Sequence, residues 1–229
     1  MEYGEFVSRP EARQRYWARS VVGWHRFLPA RPNAAHQALA ELEDQKKISV
    51  IVTQNVDGLH QRSGSKNLIE LHGSLLTVSC LDCGDRQDRS VFQQHLLDAN
   101  PILASLTADI APDGDASLEQ FDWQQVSVPE CSVCGGLIKP DVVFFGENVP
   151  AARVQQCFDR LADSDAMLVV GSSLMVFSGF RFVRAAHQQG LEIAAINLGK
   201  TRGDDLISLK LEQDCTKLLP RALRRLGGN

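Results

Sequence analysis

The sequence predicts a doubly wound α/β fold, in which helices cover both faces of a parallel sheet. Three apolar runs of strand length, each followed by polar or glycine residues, are typical of such a sheet. Two Cys-x-x-Cys-Gly motifs lie between the first and second runs and predict a small zinc-binding insert. We therefore expect a Rossmann-like large domain over residues 1–73 and 140–229, with a helical part over 1–47, and a zinc module over 74–139.

Two helices are expected before the first strand. The first runs from Pro10 to about Phe27 and the second from Asn33 to about Lys47. Asn33 is a suitable N-cap because its side chain can accept hydrogen bonds from the free backbone N–H groups of the first turn. An apolar stripe at helical spacing supports the second helix: Ala34, Ala38, Leu39 and Leu42.

The three apolar runs are Ile48–Thr53, Ala166–Gly171 and Leu191–Ile196. Nearly continuous apolar residues over this length predict strands that are buried on both faces. A helical segment from about Ser178 to Gln189 follows the second run. Ligands of such sheets bind beyond the carboxyl ends of the strands, where the polar residues lie.

The four cysteines of the insert are Cys80, Cys83, Cys131 and Cys134. A spacing of two residues lets one tight turn direct both sulfur atoms of a pair at the same ion, and the glycine after each pair permits that turn. A single Cys-x-x-Cys motif at a helix N-terminus would indicate redox chemistry instead. Two copies in one chain favour one structural zinc ion. A long loop is expected near residues 100–128.

Composition excludes several classes of protein. The chain has 229 residues, of which 44% are hydrophobic and 23% charged, as in ordinary globular proteins. Its formal charge of −4 provides no basic surface for nucleic acid, so a zinc ribbon that binds DNA is a weak alternative. No run is long enough to span a membrane, and the first residues lack the features of a signal peptide. With Cys157 and Cys215 far apart and unpatterned, we expect a reducing cytoplasm.

Several motifs in order resemble those of the sirtuin family, over most of the chain from about residue 9 to 220. They are Thr53–His60, Glu70–Ser74, the two cysteine pairs, Lys139–Glu147, Gly171–Ser173 and Ile196–Gly199. Further tracts resemble class II of that family: Arg13–Arg19, Ala111–Asp115 and Ser178–Phe182. The resemblance implies NAD-dependent removal of acyl groups from lysine, which releases nicotinamide and O-acyl-ADP-ribose.

In this resemblance His72 matches the general base. A neutral imidazole can accept a proton from a ribose hydroxyl at working pH because its ordinary pKa lies near neutrality. A purely structural histidine is the alternative interpretation. His60 is expected to begin a helix and to have no chemical role.

The resemblance also implies a set of cofactor residues. Asn55 matches a catalytic position that places ribose and water. Asp57 matches another catalytic position, which holds the nicotinamide carboxamide together with Val56. Without the resemblance, an Asx turn in which Asp57 caps the next helix would explain this segment equally well. The remaining residues that match cofactor contacts are Gln54, Gly171, Ser172, Ser173, Asn197, Leu198, Gly199 and Cys215.

Acyl-lysine proteins or peptides are the implied partners. Val143, Phe144, Phe145, Gly146 and Glu147 resemble a strand that pairs with the substrate backbone, and Val176 is a further predicted substrate contact. Tyr16 and Arg19 share a helical face and could select acidic acyl groups, although an arginine-rich solvated face is the simpler interpretation.

Sirtuins begin with a strand, a glycine-rich loop that binds pyrophosphate and a segment that closes over the cofactor, and this sequence starts after the matching region. We therefore expect unpaired strand edges and weakened NAD binding. The first hypothesis is a deacylase whose coding sequence extends upstream of Met1. The alternative is a short form without turnover that acts as a zinc-containing ADP-ribose-binding or interaction protein.

Overall fold

A computed structural model of the chain describes residues 1–106, 109–110, 116–117 and 121–226. The helices are α1 (Tyr3–Ser8), α2 (Pro10–Phe27), α3 (Ala34–Asp44), α4 (Leu59–Arg62), α5 (Arg89–Ala99), α6 (Ala151–Ala162), α7 (Phe177–Gln188) and α8 (Cys215–Leu226). The strands are β1 (Ile51–Thr53), β2 (Leu68–Glu70), β3 (Gly73–Cys80), β4 (Arg86–Asp88), β5 (Asp109–Ile110), β6 (Ala116–Ser117), β7 (Ile138–Val142), β8 (Ala166–Val170), β9 (Glu192–Ile196) and β10 (Leu209–Leu211).

Short 3-10 helices span Pro101–Ser105, Trp123–Gln125 and Asp204–Leu206. The first two lie in the long loop that was predicted near residues 100–128. Residues 107–108, 111–115 and 118–120 of that loop, including the tract Ala111–Asp115, lie outside the described residues. No helix in the described part of the chain has the length and apolar character that a membrane span requires.

The described residues form two compact units. The first contains residues 1–30, 56–58 and 72–148, and the second contains residues 31–55, 59–71 and 149 to the end of the described chain. The helices α1 and α2 thus belong to the unit that contains the cysteine pairs. The predicted domain boundaries at residues 73 and 140 divide the chain by expected function, into a cofactor-binding part and a zinc-binding part. That division stays a prediction.

The second unit confirms the predicted parallel α/β arrangement. Its strands form one sheet in the order β1-β2 and another in the order β10-β9-β8, and all three pairings are parallel. Helices α3 and α8 pack on a core that includes Ile51 and Ile196, while α6 and α7 pack on cores that include Ile69 and Ile193. Helices therefore cover both faces of the strands, as the doubly wound fold requires.

The strands differ from the prediction in length and burial. Strand β1 starts at Ile51 instead of Ile48, because the N–H groups of Lys47 and Ile48 donate to Leu42 O and prolong the turn that ends α3. Burial on both faces is wrong at alternate positions, since Val52 is 38% exposed and Leu168 is 43% exposed. Both residues lie in strands that have a single hydrogen-bonded neighbour among the described strands.

The first unit is built on an antiparallel sheet in the order β4-β3-β7. Phe6 and Trp17, both 0% exposed, bring α1 and α2 into its core. The ring of Trp17 lies 4.8 Å from that of Phe92 in α5, and the ring of Phe6 lies 5.2 Å from that of Phe144. This aromatic packing explains why the first 30 residues group with the cysteine-containing region.

A buried carboxylate fixes the turn that leads into β2 of the second unit. Glu43, at the end of α3, is only 9% exposed. Its oxygens accept hydrogen bonds from Lys66 N at 3.1 Å and from Asn67 N at 2.6 Å. Hydrogen bonds to a charged acceptor stabilise more than neutral ones, and a buried N–H group without a partner is costly.

We expect Glu43→Ala to lower the free energy of unfolding by about 3 kcal/mol, because the substitution leaves two backbone N–H groups without their acceptor. Urea denaturation followed by circular dichroism measures this value. Glu41→Ala on the exposed side of the same helix is the control, with an expected change within about 0.5 kcal/mol. Equal losses for the two variants would contradict the structural role of Glu43.

Candidate functional site

Four cysteine sulfurs of the first unit form a cluster that could hold one zinc ion. The Sγ atoms of Cys80, Cys83, Cys131 and Cys134 all lie within 4.8 Å of one another. The Sγ atoms of Cys80 and Cys134 are 3.5 Å apart, and those of Cys83 and Cys131 are 3.7 Å apart. A tetrahedral zinc ion with Zn–S bonds of about 2.3 Å places sulfurs about 3.8 Å apart, so the cluster fits the predicted ion.

Each cysteine pair is shaped by a tight turn. The N–H of Gly84 donates to Cys80 O at 3.1 Å, and the N–H of Gly135 donates to Cys131 O at 2.8 Å. Both glycines adopt positive φ angles, 75° at Gly84 and 74° at Gly135, a conformation that other residues avoid. The two Cys-x-x-Cys-Gly motifs therefore fold as their spacing predicted.

The four thiols cannot all ionise without a cation. A hydrogen bond from the backbone N–H of Cys83 lowers the pKa of Cys80 to about 7. In contrast, the hydrogen bond between the sulfur atoms of Cys134 and Cys83 stabilises the protonated thiol and raises the pKa of Cys134 to about 12. A bound zinc ion would supply the compensating charge and would release protons on binding.

His72 lies at the opposite end of β3 from Cys80 and is half-buried. Its carbonyl oxygen accepts a hydrogen bond from Val143 N at 2.8 Å. This bond joins the predicted general base to the predicted substrate-binding segment within the first unit. His72 directly precedes β3, so its backbone is held by the pairing of β3 with β7.

Gly73 allows β3 and β7 to approach closely beside His72. It has a φ angle of 80°, and a Cβ atom at this position would overlap the carbonyl oxygen of Asp141. The side chain of Asp141 accepts a hydrogen bond from Thr77 and pairs with Arg86, so the β7 backbone is also held from the side. The Leu-His-Gly tripeptide therefore needs glycine for a steric reason.

Val56 and Asp57 belong to the first unit, whereas Gln54 and Asn55 belong to the second. Leu75 N donates to Val56 O at 2.9 Å, and the Val56 side chain packs on the aromatic core. Helix α4 begins at Leu59, so Gly58 and not Asp57 directly precedes it. The alternative in which Asp57 caps this helix stays open beside its predicted role at the cofactor.

A buried ion pair shapes the predicted substrate segment, and the sequence had assigned it no role. Lys139 is 5% exposed, and its Nζ lies 3.0 Å from Glu147 Oε2 and 4.7 Å from the centre of the Phe144 ring. Nζ also donates to the carbonyl oxygen of Val142, and Glu147 Oε2 accepts from Phe144 N at 2.9 Å. Burial lowers the pKa of Lys139, while Glu147 opposes that change. The sequence feature that could have indicated this buried ion pair is a lysine within an otherwise apolar strand.

The backbone of Phe145 already has partners inside the first unit. Its N–H donates to Met1 O at 3.2 Å, and its carbonyl oxygen accepts from Tyr3 N at 2.9 Å. A substrate strand that paired through Phe145 would have to displace these bonds. Other backbone groups of this segment have partners as well, since Val143 N donates to His72 O, Phe144 N to Glu147 Oε2 and Glu147 N to Phe144 O.

Two predicted cofactor residues from separate motifs meet in the second unit. The side-chain amide of Gln54, beyond β1, donates to Ser172 Oγ at 3.1 Å, beyond β8. Ser172 Oγ also accepts from Leu174 N at 3.2 Å. Gly179 makes room for this contact, since a Cβ atom there would lie 2.7 Å from Gln54 Oε1. Polar residues at two strand ends thus converge, as the fold predicts.

The other cofactor candidates of the second unit border the same loop. Val170 and Ile196 are register partners, so Gly171 and Asn197 follow at neighbouring strand ends. Gly171 has a φ angle of 59°, and a Cβ atom there would contact Cys215 Sγ at 3.7 Å. Ser173 O accepts from Arg202 N at 2.8 Å, which ties Gly171–Ser173 to the segment after β9. Leu198 is 68% exposed and Gly199 follows it with a φ angle of 75°.

The two residues proposed for acyl selection lie on α2 in the first unit. The ring of Tyr16 is half-buried against the rings of Phe6 and Phe144, at 5.6 Å and 5.2 Å. Arg19 follows one helical turn later and is half-buried. Tyr16 therefore contributes to the core whether or not it also contacts an acyl group.

Comparisons with known proteins identify the family of the chain. The Sir2 family model matches residues 2–178. An NAD-dependent protein deacetylase of Xanthomonas axonopodis pv. citri is 56% identical over 214 residues, which cover 93% of this chain and 73% of the relative. The NAD-dependent protein lipoamidase sirtuin-4, mitochondrial, of Bos taurus is 47% identical over 220 residues, covering 96% and 70%. A structure of Sir2 bound to acetylated peptide superimposes with a TM-score of 0.78 at 31% identity, covering 99% of this chain and 82% of that one.

Removal of zinc by a strong chelator is expected to unfold the first unit, because the ion closes both cysteine turns. Metal analysis should find one zinc per chain, and Cys134→Ser should abolish it. Zinc affinity should fall as the pH is lowered, since protons compete for the thiolates. Cys157→Ser, at a buried cysteine outside the cluster, should retain the metal. A chain that keeps its circular dichroism spectrum and melting temperature without zinc would contradict this expectation.

Gly73→Ala is expected to lower the free energy of unfolding by at least about 2 kcal/mol, because it adds steric overlap to an unfavourable φ angle. Gly64→Ala is the matched control, since Gly64 has a φ angle of 101° but no atom within 4 Å of an added Cβ. Backbone strain alone should cost about 1 kcal/mol there. Thermal and urea denaturation of both variants would separate the effect of steric overlap with Asp141 from that of the unfavourable φ angle. Equal losses of unfolding free energy in the two variants would exclude the steric overlap.

Proposed function

The chain belongs to the Sir2 family, and from that premise we propose that it is an NAD-dependent protein-lysine deacylase. The products would be nicotinamide, O-acyl-ADP-ribose and the free lysine. The observation that supports this proposal most directly is the 2.8 Å bond between Val143 N and His72 O, which joins the base candidate to the substrate segment. The relatives named as deacetylases support the same reaction.

The second unit contains most of the residues that would hold NAD. Gln54, Ser172 and Ser173 offer polar groups at the strand ends, and Gly171 lets a ligand approach the backbone closely. When bound, NAD supplies the ribose carbon that is attacked and the nicotinamide that leaves. Asn197 is 9% exposed and its amide group donates to Leu198 O at 3.0 Å, which shapes the loop proposed to contact the adenosine ribose.

The first unit would supply the proton acceptor and the substrate strand. A ring nitrogen of His72 would accept a proton from a ribose hydroxyl, for which neutral imidazole is suited near pH 7. Asp57 would accept a hydrogen bond from the carboxamide NH2 of nicotinamide. The peptide would pair with backbone groups of Val143–Glu147, and Val176 is a further proposed substrate contact.

A structural zinc ion and a cytoplasmic location complete the proposal. Reduced thiols suit a reducing compartment, and the formal charge of −4 offers no general attraction for nucleic acid. Acyl preference would depend on Tyr16 and Arg19 if their side chains reach the acyl group. Succinyl-, glutaryl- and acetyl-lysine peptides tested side by side would decide this, and equal rates would remove the idea.

The direct test is nicotinamide release from NAD by the purified chain with an acetyl-lysine peptide. His72→Ala is expected to lower kcat by a factor of about 10² to 10⁴, because general-base catalysis contributes that much. NAD binding, measured by calorimetry, should change far less. His187→Ala, at an exposed histidine at the end of α7, is the control and should retain turnover.

Two outcomes would contradict this proposal. Full turnover by the His72→Ala variant would exclude His72 as the base. Binding of ADP-ribose without release of nicotinamide from NAD, whichever acyl peptide is supplied, would instead favour the alternative of a non-catalytic ADP-ribose-binding or interaction protein.

A further inference from the structure

Three consecutive apolar side chains are exposed at the start of α7. Met175 is 61% exposed, and Val176 and Phe177 are each 46% exposed. Together with Arg181 and Arg202 they form what we call the Phe177 patch. The neighbouring roles proposed for Ser172 and Ser173 do not require an apolar surface here. Exposed apolar groups with polar neighbours are typical of interaction sites.

Two guanidinium groups contact the ring of Phe177. The guanidinium carbon of Arg181 lies 5.3 Å from the ring centre and that of Arg202 lies 5.7 Å from it. Arg202 also lies 4.8 Å from the ring centre of Phe180, and its Nη1 donates to Met175 O at 3.0 Å. Stacking on aromatic faces orients the planar groups while leaving N–H donors available.

Neither arginine is neutralised by a carboxylate in the described part of the chain, where the ion pairs involve other residues. The Nε atom of Arg181 is buried and has no hydrogen-bond partner among the described atoms. A guanidinium offers five donors in a planar arrangement that matches a carboxylate. The patch therefore combines an apolar surface with two cations that have no ion-pair partner among the described residues.

The segment that contains Arg202 is held in place before any ligand binds. Asp204 Oδ1 accepts from Thr201 Oγ1 at 2.6 Å, and Asp204 Oδ2 accepts from Lys210 Nζ at 2.9 Å. The hydrogen bond from Thr201, with the charge of Lys210, lowers the pKa of Asp204. A fixed segment reduces the ordering cost of binding, so the two cations are already in position for an acidic group.

We infer that the Phe177 patch binds an acidic side chain of the acyl-lysine peptide, close in sequence to the modified lysine, and so sets peptide preference. This inference rests on the proposed deacylase function. The patch includes Val176, the proposed substrate contact, and its apolar surface fits the aliphatic part of an Asp or Glu side chain. The phosphates of NAD are the less suitable ligand, because they lack an apolar part to cover Met175 and Phe177.

The test compares two fluorescent acetyl-lysine peptides that differ only in carrying Asp or Asn beside the acetyl-lysine. Binding is measured by fluorescence anisotropy without NAD, and KM is measured separately by nicotinamide release. We expect the Asp peptide to bind about fivefold to twentyfold more tightly, with a preference that shrinks as salt is added. Arg202→Gln and Arg181→Gln should each reduce that preference by about threefold to fivefold.

Arg184→Gln is the matched control, since Arg184 lies on the same helix, is exposed and is not part of the patch. It should leave the preference intact. Equal binding of the two wild-type peptides would overturn the inference, as would an unchanged preference in both patch variants. A larger loss of ADP-ribose affinity than of peptide affinity in those variants would assign the cations to the cofactor and also overturn it.

The two proposals fail in different assays. If nicotinamide is released from NAD with neither peptide, the deacylase function fails, while the anisotropy ratio still reports the charge preference of the patch. If both peptides are turned over with equal KM and equal affinity, the function stands and the inference fails.

Discussion

The antiparallel pairing of β3 with β7 is the constraint on which the first unit depends. At one end Cys80 pairs with Ile138 beside the cysteine cluster, and at the other Gly73 pairs with Val142 beside His72. One pair of strands therefore connects the metal-binding end to the base and the substrate segment. In the proposed reaction a metal ion in the cluster takes no chemical step, yet it would hold the far end of the strands that position His72. The register of β3 against β7 shifts between Gly73 and Val78, so the residues at the two ends of β3 pair with β7 in different registers.

The Lys139–Glu147 pair extends that constraint into the substrate segment. Its charges are buried, so their desolvation offsets much of their attraction, and the pair adds little net stability compared with apolar side chains. What the pair supplies is geometry, because Lys139 Nζ and the Glu147 carboxylate bind backbone groups of Val142 and Phe144. The segment is shaped before a peptide arrives, which reduces the entropy lost on binding.

Local patterns predicted the parts of the fold that depend on local physics. The Asn33 side chain accepts from Ala35 N and His36 N as an N-cap, and the turns at Gly84 and Gly135 follow directly from the cysteine spacing. The second unit's strand ends were also predictable, since apolar runs followed by polar residues identify them, and Gln54 and Ser172 meet there.

Features that depend on distant parts of the chain could not be predicted. The aromatic residues of α2 pack on a core that includes Val78, Phe92 and Phe144, each more than 50 residues away along the chain, so residues 1–30 join the cysteine-containing unit. Arg89 carries a charge, yet it is 1% exposed, and its guanidinium carbon lies 5.3 Å and 4.7 Å from the ring centres of Trp17 and Trp24. Burial of a charge of this kind depends on aromatic partners that no local pattern identifies.

The chain passes between its two units five times, after residues 30, 55, 58, 71 and 148. Neither unit is therefore a contiguous stretch of sequence that could be excised, expressed alone or exchanged with a relative by a single recombination event. One of the crossings divides the segment Gln54–Asp57, so the residues proposed to hold NAD and its nicotinamide group are consecutive in the chain yet belong to different folding units. A substitution that destabilises either unit should therefore also disturb the conformation of this tetrapeptide. Insertions should be tolerated least there.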